Sequence, residues 1–249
     1  SDVSRYDLGG AAEATQGCGA VAMLISANPS IMQIDIMAGL YSEDIMDFWR
    51  PNYRTTPLVD GKYSALKYLQ SLSHTWQDYQ SNEGRAFQDF AQFCYHLPFS
   101  RMGKKAHMYL ASINDQPVNK EKFMPGLVYN RVIGNCYSAA LYLSLISALE
   151  NSEEDLSGKP VALFSYGSGA VAEFFSGVVQ PGYKAHMVTE RHKRLITDRE
   201  ALSYERYLEL WHAPNPQNGE EIINKVETQG SFRLAKIADH KRYYETVRS

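Results

Sequence analysis

Cysteine is scarce in this chain: three in 249 residues, Cys18, Cys94 and Cys136, with no C-x-x-C pair. An odd, widely spaced set argues against a disulfide framework and against a structural zinc site, so the thiols are expected to be reduced. No stretch approaches the roughly 20 apolar residues of a membrane span, and the opening SDVSRYDLGG lacks a charged segment followed by an apolar one. Charge of one sign is not in excess either. Lys and Arg number 25 against 28 Asp and Glu, a formal net charge of −3, so no basic field offers itself to nucleic acid or to an anionic membrane. These absences predict a cytoplasmic chain with neither a membrane nor a nucleic-acid partner. Local basic clusters can still grip a phosphorylated ligand.

What is present is apolar. The chain is 44% hydrophobic and 12% aromatic, enough to close one large core or two small ones. GCGAVAMLIS (17–26) reads as a buried strand opened by glycine. LYSEDIMDFWRPNYRTTPLVDGKYS, with Pro51, Pro57 and a VDG turn, reads as a long irregular loop in which Phe48, Trp49 and Tyr53 require burial. Leu66, Tyr68, Leu69 and Leu72 give Tyr63 to about Gln80 the period of an amphipathic helix. A short helix is expected around 85–93, running into FCYHLPF, a strand that Pro98 stops. Further helices are expected in GKKAHMYLASI and, buried on most sides, in NCYSAALYLSLISALEN. KPVALFSYGSGAVAEFFSGVV supplies two strands hinged at Gly167 and Gly169. From about Gly182 the chain reads as charged helix and loop. Strands alternating with buried helices give an α/β layered fold.

One motif occurs twice: GCGAVAM at 17–23 and GSGAVAE at 167–173 agree at five of seven positions. Strands and helices precede the second copy, whereas only sixteen residues precede the first. If the copies close equivalent halves of a duplicated fold, the first half lacks nearly everything before its last strand. Unpaired strand edges and open apolar faces are costly, so a companion polypeptide is expected. A chance Gly-Ala-Val match in a strand-turn context is the plainer alternative.

Polar residues set between apolar ones mark the candidate site. His96 ends a buried strand and is followed by Arg101, Lys104 and Lys105. Its intrinsic pKa suits a donor or a general acid; the plainer reading is a core histidine bonded to a carbonyl. Asn135 and Cys136 follow Gly134 at the opening of the long helix, where the helix dipole would favour a thiolate. The alternative there is an N-cap asparagine beside a small buried filler. Ser168 lies between two glycines that admit close backbone approach, without the spacing of a G-x-S-x-G elbow. Thr15 stands just before the first copy.

Taken in order, TQGCGAVAML, FWRP, PLVDGKYS, YHLPFSRMGKKA, YNRVIGNCYSAALYLSLISALEN and FSYGSGAVAEFFSG resemble the hydroxymethylglutaryl-CoA synthases of the bacterial mevalonate-pathway kind, within the thiolase superfamily. The likeness runs to about residue 185 and returns in IADHKRYY. It implies a thiolase-like α-β-α-β-α layered fold of two related halves, each copy of the repeat being the last strand of one half. Residues 1–30 would hold that strand of the first half, 31–84 a loop and helix insertion, 85–180 the second half and 181–249 a helical and loop extension. By the same resemblance His96 matches the histidine that engages the acetoacetyl group, Asn135 the asparagine that orients it, and Ser168 the serine lining its pocket. Thr15 and Ser64 match contacts to the acyl-CoA substrates. Arg101 and Lys105 match two CoA-binding positions, usually lysine; Arg101 keeps the charge but not the geometry of an ammonium. Ala14 stands where the family commonly has proline.

The resemblance implies an acyl transfer in which acetyl-CoA and acetoacetyl-CoA condense with water to 3-hydroxy-3-methylglutaryl-CoA and CoA, with no metal and no cofactor beyond the thioesters. The family's nucleophilic cysteine and general-base glutamate belong to the first half, upstream of Ser1. None of the three cysteines matches the former, and neither Glu13 nor Glu173 the latter. This removes Cys136 as nucleophile and implies a companion N-terminal half, in a homodimer of complete protomers. The competing readings are a non-catalytic acyl-CoA-binding protein that kept the pocket, and the relative that performs β-branching on carrier-bound polyketides. Against the latter, SRMGKK modestly favours CoA phosphates.

Overall fold

The structure, a computed structural model, describes residues 1–226 and 230–247. The chain divides into a unit of Ser1–Asp198 and a second unit that begins at Arg199. The first opens with β1 (Asp2–Val3), paired antiparallel to β2 (Cys18–Gly19) across a turn at Glu13–Thr15. Here the buried strand expected over 17–26 fails. Between Gly19 and Ser26 no further ladder forms, and Leu24 and Ile25 are 94% and 86% exposed. Apolar composition calls for cover, but an extended run becomes a strand only where a neighbour takes its N–H and C=O groups.

The next element, β3 (Met32–Ser42), lies where loop and helix were expected. Met32, Ile34 and Ile36 alternate, the signal that marks a strand. The pattern nonetheless points the wrong way, because Ile36 faces out at 95% exposure and the register shifts between Ile34 and Ala38. β4 (Phe48–Trp49) and β5 (Leu58–Val59) then form a two-pair hairpin inside the stretch read as irregular. Phe48 and Trp49 are half-buried, whereas Tyr53 between the strands is exposed, contrary to expectation.

Helix α1 (Gly61–Ser81) starts where the Asp60 side chain accepts from the Tyr63 N–H. It buries Tyr68, Leu72, Thr75, Trp76 and Tyr79 at three- and four-residue spacing, while Leu66 falls off that stripe and is exposed. α1 lies so close on β3 that a Cβ at Gly39 would stand 2.0 Å from the Thr75 carbonyl oxygen. The helix expected at 85–93 is a single 3-10 turn, Phe87–Asp89, because Phe93 belongs to β6 (Gln92–Tyr95), a strand buried on both faces. Next come α2 (Ser100–Ile113), the short α3 (Val128–Ile133) and α4 (Ala139–Asn151). β7 (Pro160–Gly167), β8 (Val171–Val179) and α5 (Thr189–Thr197) complete the unit.

Four strands make one mixed sheet in the order β3-β8-β7-β6, parallel only between β6 and β7. Over β6 and most of β7 both faces are covered. Phe93, Tyr95, Phe164 and Tyr166 point to the side packed by α1 and α2, and Cys94, Val161 and Leu163 to the side packed by Leu141, Ala148 and Leu149 of α4. A strand covered on both faces reads as an unbroken apolar run, which is why PVALF and FCY show no alternation. The second copy of the repeat forms the end of β7, a turn and the start of β8, whereas the first contributes only β2. The copies thus share sequence but not the strand structure expected of both.

The second unit was expected to be helix and loop. It contains α6 (Tyr204–Trp211) and an antiparallel sheet, β9 (Ile222–Ile223), β10 (Phe232–Ala238) and β11 (Lys241–Thr246), in the order β11-β10-β9. IADHKRYY is the hairpin between β10 and β11. Its two turn residues, Asp239 and His240, have φ of 50° and 63°, the left-handed pair that a tight hairpin turn requires. Positions 227–229 and 248–249 of the expected extension lie outside the described residues. No helix of the described residues is long and apolar enough to cross a membrane.

Candidate functional site

A cavity of about 720 Å³ opens in the first unit where several segments meet: the stretch Tyr6–Thr15, the β4–β5 hairpin, the start of α1, the residues after β6, the turn before α4 and the β7–β8 turn. It gathers Thr15, Ser64, His96, Asn135 and Ser168 from across the sequence. Tyr68, Phe99 and Met102 give it apolar walls, the usual setting for a few convergent polar groups.

His96 follows β6 and is fixed through its backbone. Its N–H donates to the Phe164 carbonyl at 2.8 Å, and its carbonyl accepts from the Tyr68 hydroxyl at 2.8 Å. Burial pushes the imidazole down to about 4, so the ring is neutral at pH 7 and carries one N–H. The sequence left open a donor or a general acid; the burial selects the neutral donor.

Asn135 is held on every side. Its Nδ2 donates to the Tyr6 hydroxyl at 2.9 Å, its Oδ1 accepts from the Tyr137 N–H at 3.0 Å, its N–H donates to the Thr15 carbonyl at 2.9 Å, and its carbonyl accepts from the Ser4 hydroxyl at 2.8 Å. Thr15 turns its hydroxyl onto the Ala12 carbonyl at 2.7 Å. Ser168 is exposed at the β7–β8 turn. Arg101 and Lys105 do not line the cavity. They stand exposed on the first turns of α2, the helix whose buried side brings Met102 to the wall, and the Lys105 ammonium lies 6.0 Å from the ring of Phe99.

Asp47 is a residue of the site that no sequence motif marks. It is fully buried and gathers three donors: the Tyr166 hydroxyl at 2.8 Å, the Ser64 hydroxyl at 2.8 Å and the Gly169 N–H at 3.0 Å. The donors come from β7, α1 and the β7–β8 turn, so one carboxylate fixes three sides of the cavity. Ser64 spends its proton on Asp47, leaving its oxygen to accept. The available signal is a lone acid between Met46 and Phe48, since a carboxylate flanked by apolar residues is buried only where donors surround it.

The sequence model described as hydroxymethylglutaryl-coenzyme A synthase C terminal matches residues 32–116 and 110–244. The chain belongs to this family. Hydroxymethylglutaryl-CoA synthase of Enterococcus faecalis is 40% identical over 249 residues, covering 98% of this chain and 64% of the relative. The polyketide biosynthesis 3-hydroxy-3-methylglutaryl-ACP synthase of Bacillus subtilis is 34% identical over 227 residues, covering 83% and 54%. A crystal structure of an HMG-CoA synthase complexed with CoA superposes with a TM-score of 0.90 at 38% identity, covering 99% of this chain and 64% of that one. The chain therefore spans less than two thirds of the length of these synthases. The thiolase-like α/β fold that the motifs imply is the fold of this family.

In this family member neither buried cysteine is poised as a nucleophile. α4 opens at Ala139, three residues beyond Cys136, so the helix terminus expected to favour a thiolate is not at that sulfur. Burial pushes the Cys136 thiol up to about 11 and the Cys94 thiol up to about 12. Cys18 is exposed. Under limiting iodoacetamide at pH 8, peptide mapping is expected to show the exposed Cys18 alkylated at least about tenfold faster than Cys136, whose sulfur is buried and whose thiol burial keeps protonated. Equal rates would contradict the burial of Cys136.

Proposed function

We propose that the chain supplies the acetoacetyl-CoA pocket of a hydroxymethylglutaryl-CoA synthase, an acyltransferase that condenses acetyl-CoA with acetoacetyl-CoA and water to 3-hydroxy-3-methylglutaryl-CoA and CoA. The observation that carries this reading is the convergence of a neutral His96 with Asn135 and Ser168 in one largely apolar cavity. Attack on a ketone carbon puts negative charge on the ketone oxygen. The N–H of a buried neutral imidazole meets that charge only as it develops, which is the differential stabilisation catalysis requires. Asn135 has a second amide N–H beyond the one given to Tyr6, and with Ser168 it would set the orientation of the acetoacetyl group. Arg101 and Lys105 would meet the CoA phosphates outside the cavity.

The nucleophile would come from a companion N-terminal half. There acetyl passes from CoA to a cysteine, with release of CoA. A glutamate removes a methyl proton, the carbanion attacks the ketone carbon in this cavity, the alkoxide that forms takes a proton back from the glutamate, and water cleaves the thioester to free the product and the cysteine. The exposed Met23, Leu24 and Ile25 are an apolar run that such a half would cover and pair. On this reading the complete enzyme is a cytoplasmic homodimer of the mevalonate route, with no metal or further cofactor.

Calorimetric titration of this chain with acetoacetyl-CoA and with CoA, followed by a CoA-release assay with acetyl-CoA and the companion half, tests the reading. Tighter binding of acetoacetyl-CoA than of CoA is expected, with no turnover until the companion half is added. Turnover by the chain alone, or no preference for acetoacetyl-CoA, would overturn it. A carrier-bound acetoacetyl group is a second reading, favoured by the Bacillus subtilis relative. A kcat/KM about tenfold higher on the carrier-bound substrate than on the CoA ester would establish it instead, a difference of about 1.4 kcal/mol.

A further inference from the structure

The β4–β5 hairpin forms one side of the cavity, with Phe48, Pro57, Leu58 and Val59 facing it, yet little within the hairpin holds it in place. Its ladder is two residue pairs, and the intervening loop adds a turn bond from the Arg54 N–H to the Pro51 carbonyl at 2.9 Å. A ribbon this short does not persist in water without outside support. Beyond its anchorage at Asp47 and Asp60, the hairpin is fastened twice. On the inner side Phe48 lies edge-on to Tyr6 at 5.9 Å and tilted against Tyr137 at 6.1 Å. On the outer side one carboxylate oxygen of Asp7 accepts from the Arg54 guanidinium and the other from the Thr56 hydroxyl. Arg54 also donates from Nε to the Thr56 carbonyl at 3.4 Å, and Arg50 from Nη1 to the Arg54 carbonyl at 2.8 Å, so the loop is braced against the same contact.

Asp7 lies on the cavity rim, whereas Arg54 and Thr56 do not line the cavity. The pair Arg54–Asp7 is half-exposed, 30% and 51%, and such pairs add little to global stability. Its place between the hairpin and the N-terminal side of the cavity, where it joins the Phe48–Tyr6 contact in holding the two together, gives it a local effect. We propose that Arg54 and Thr56 are positioning residues that, through Asp7, latch the hairpin onto the N-terminal side of the cavity and thereby set how long an acyl thioester stays bound. The proposal rests on the acetoacetyl-CoA reading for its ligand. Its mechanical part, the latch, does not.

Arg54→Met and Thr56→Val in the full chain, with Arg54→Lys as the conservative variant, test it through hydrogen exchange of the amides of 48–59 without ligand and through stopped-flow dissociation of acetoacetyl-CoA. The first two variants are each expected to speed both exchange and dissociation by about 2–12-fold, the effect of one ordinary hydrogen bond, since exposure and solvent screening discount the charge. Their combination should fall short of the product of the two, because both act on Asp7. Arg54→Lys should recover most of the loss, and the melting temperature should move by less than about 2 °C. Exchange within twofold of the parent would overturn the latch. So would a large fall in melting temperature with exchange raised throughout the unit, which would assign Arg54 to the fold rather than to the cavity. A parent chain that binds no acetoacetyl-CoA, with exchange still raised in the variants, would keep the latch and remove the ligand.

Discussion

Replacing His96 by alanine, in the chain joined to the N-terminal half proposed above, is expected to slow the proposed condensation by about 10²–10³-fold, the usual loss when one preorganised donor to a developing oxyanion is removed. The binding constant for acetoacetyl-CoA should change far less, because a ground-state ketone accepts that N–H only weakly. Single-turnover rates and equilibrium titration separate the two; equal losses in both would reduce His96 to a binding group. The pH dependence follows from burial, which holds the imidazole at about 4. The folded pKa lies below the unfolded value of about 6.5, so the neutral form persists in the fold as pH drops through 6.5 while the unfolded chain takes up a proton. Stability from this group is therefore lost between about pH 6.5 and 4 and is fully present above 6.5. The condensation rate should show no histidine inflection near 6.5 that disappears in His96→Gln. Such an inflection would mean that the ring is wetter than its burial implies.

Asp47→Ala is expected to cost about 3 kcal/mol, because it leaves the Tyr166 hydroxyl, the Ser64 hydroxyl and the Gly169 N–H without their acceptor in a buried place. For a unit of this size that is a fall in melting temperature of about 6–12 °C. Asp47→Asn keeps one acceptor oxygen but turns an amide NH2 toward the donors, and should cost about half as much. Under the proposed function both variants should also weaken acetoacetyl-CoA binding, since Asp47 accepts from the Gly169 N–H in the turn that carries Ser168. Calorimetric melting and ligand titration check this. A melting temperature within about 2 °C of the parent for Asp47→Ala would show that the three donors find other partners.

The parts of the fold legible in the sequence are those whose pattern states which side is covered. α1 declares its stripe from Tyr68 to Tyr79, and β7 and β8 declare themselves through apolar-rich runs on either side of a glycine turn. The misread parts are those where apolarity says that cover is needed but not from where. Leu24 and Ile25 look like core and lie open, and Ile34 and Ile36 alternate correctly while facing outward. Cys136 was placed at a helix terminus because Gly134 and Asn135 look like a helix start. The chain instead makes a turn there, with Asn135 bonded back to Tyr6 and Thr15. Local sequence can propose a cap, but it does not show that the asparagine has a better partner about 130 residues away. Five of the candidate site residues do share one cavity. Asp47 escaped notice because its three donors are spread between positions 64 and 169, a convergence visible only once the sheet is assembled.

The parallel pairing of β6 with β7 also bears on how the chain is made. Gln92 pairs with Val161, and during synthesis at ~5–20 residues per second the partner emerges about 3–14 s later. Until then Phe93 and Tyr95, each 1% exposed in the finished fold, have no strand beside them, and α1 and the turn at Phe87–Asp89 offer only part of their cover. A chain of high contact order waits in this way for its long-range partner. The length of the α2–α4 crossover thus sets how long a nascent molecule is at risk of pairing with its neighbours on the same message.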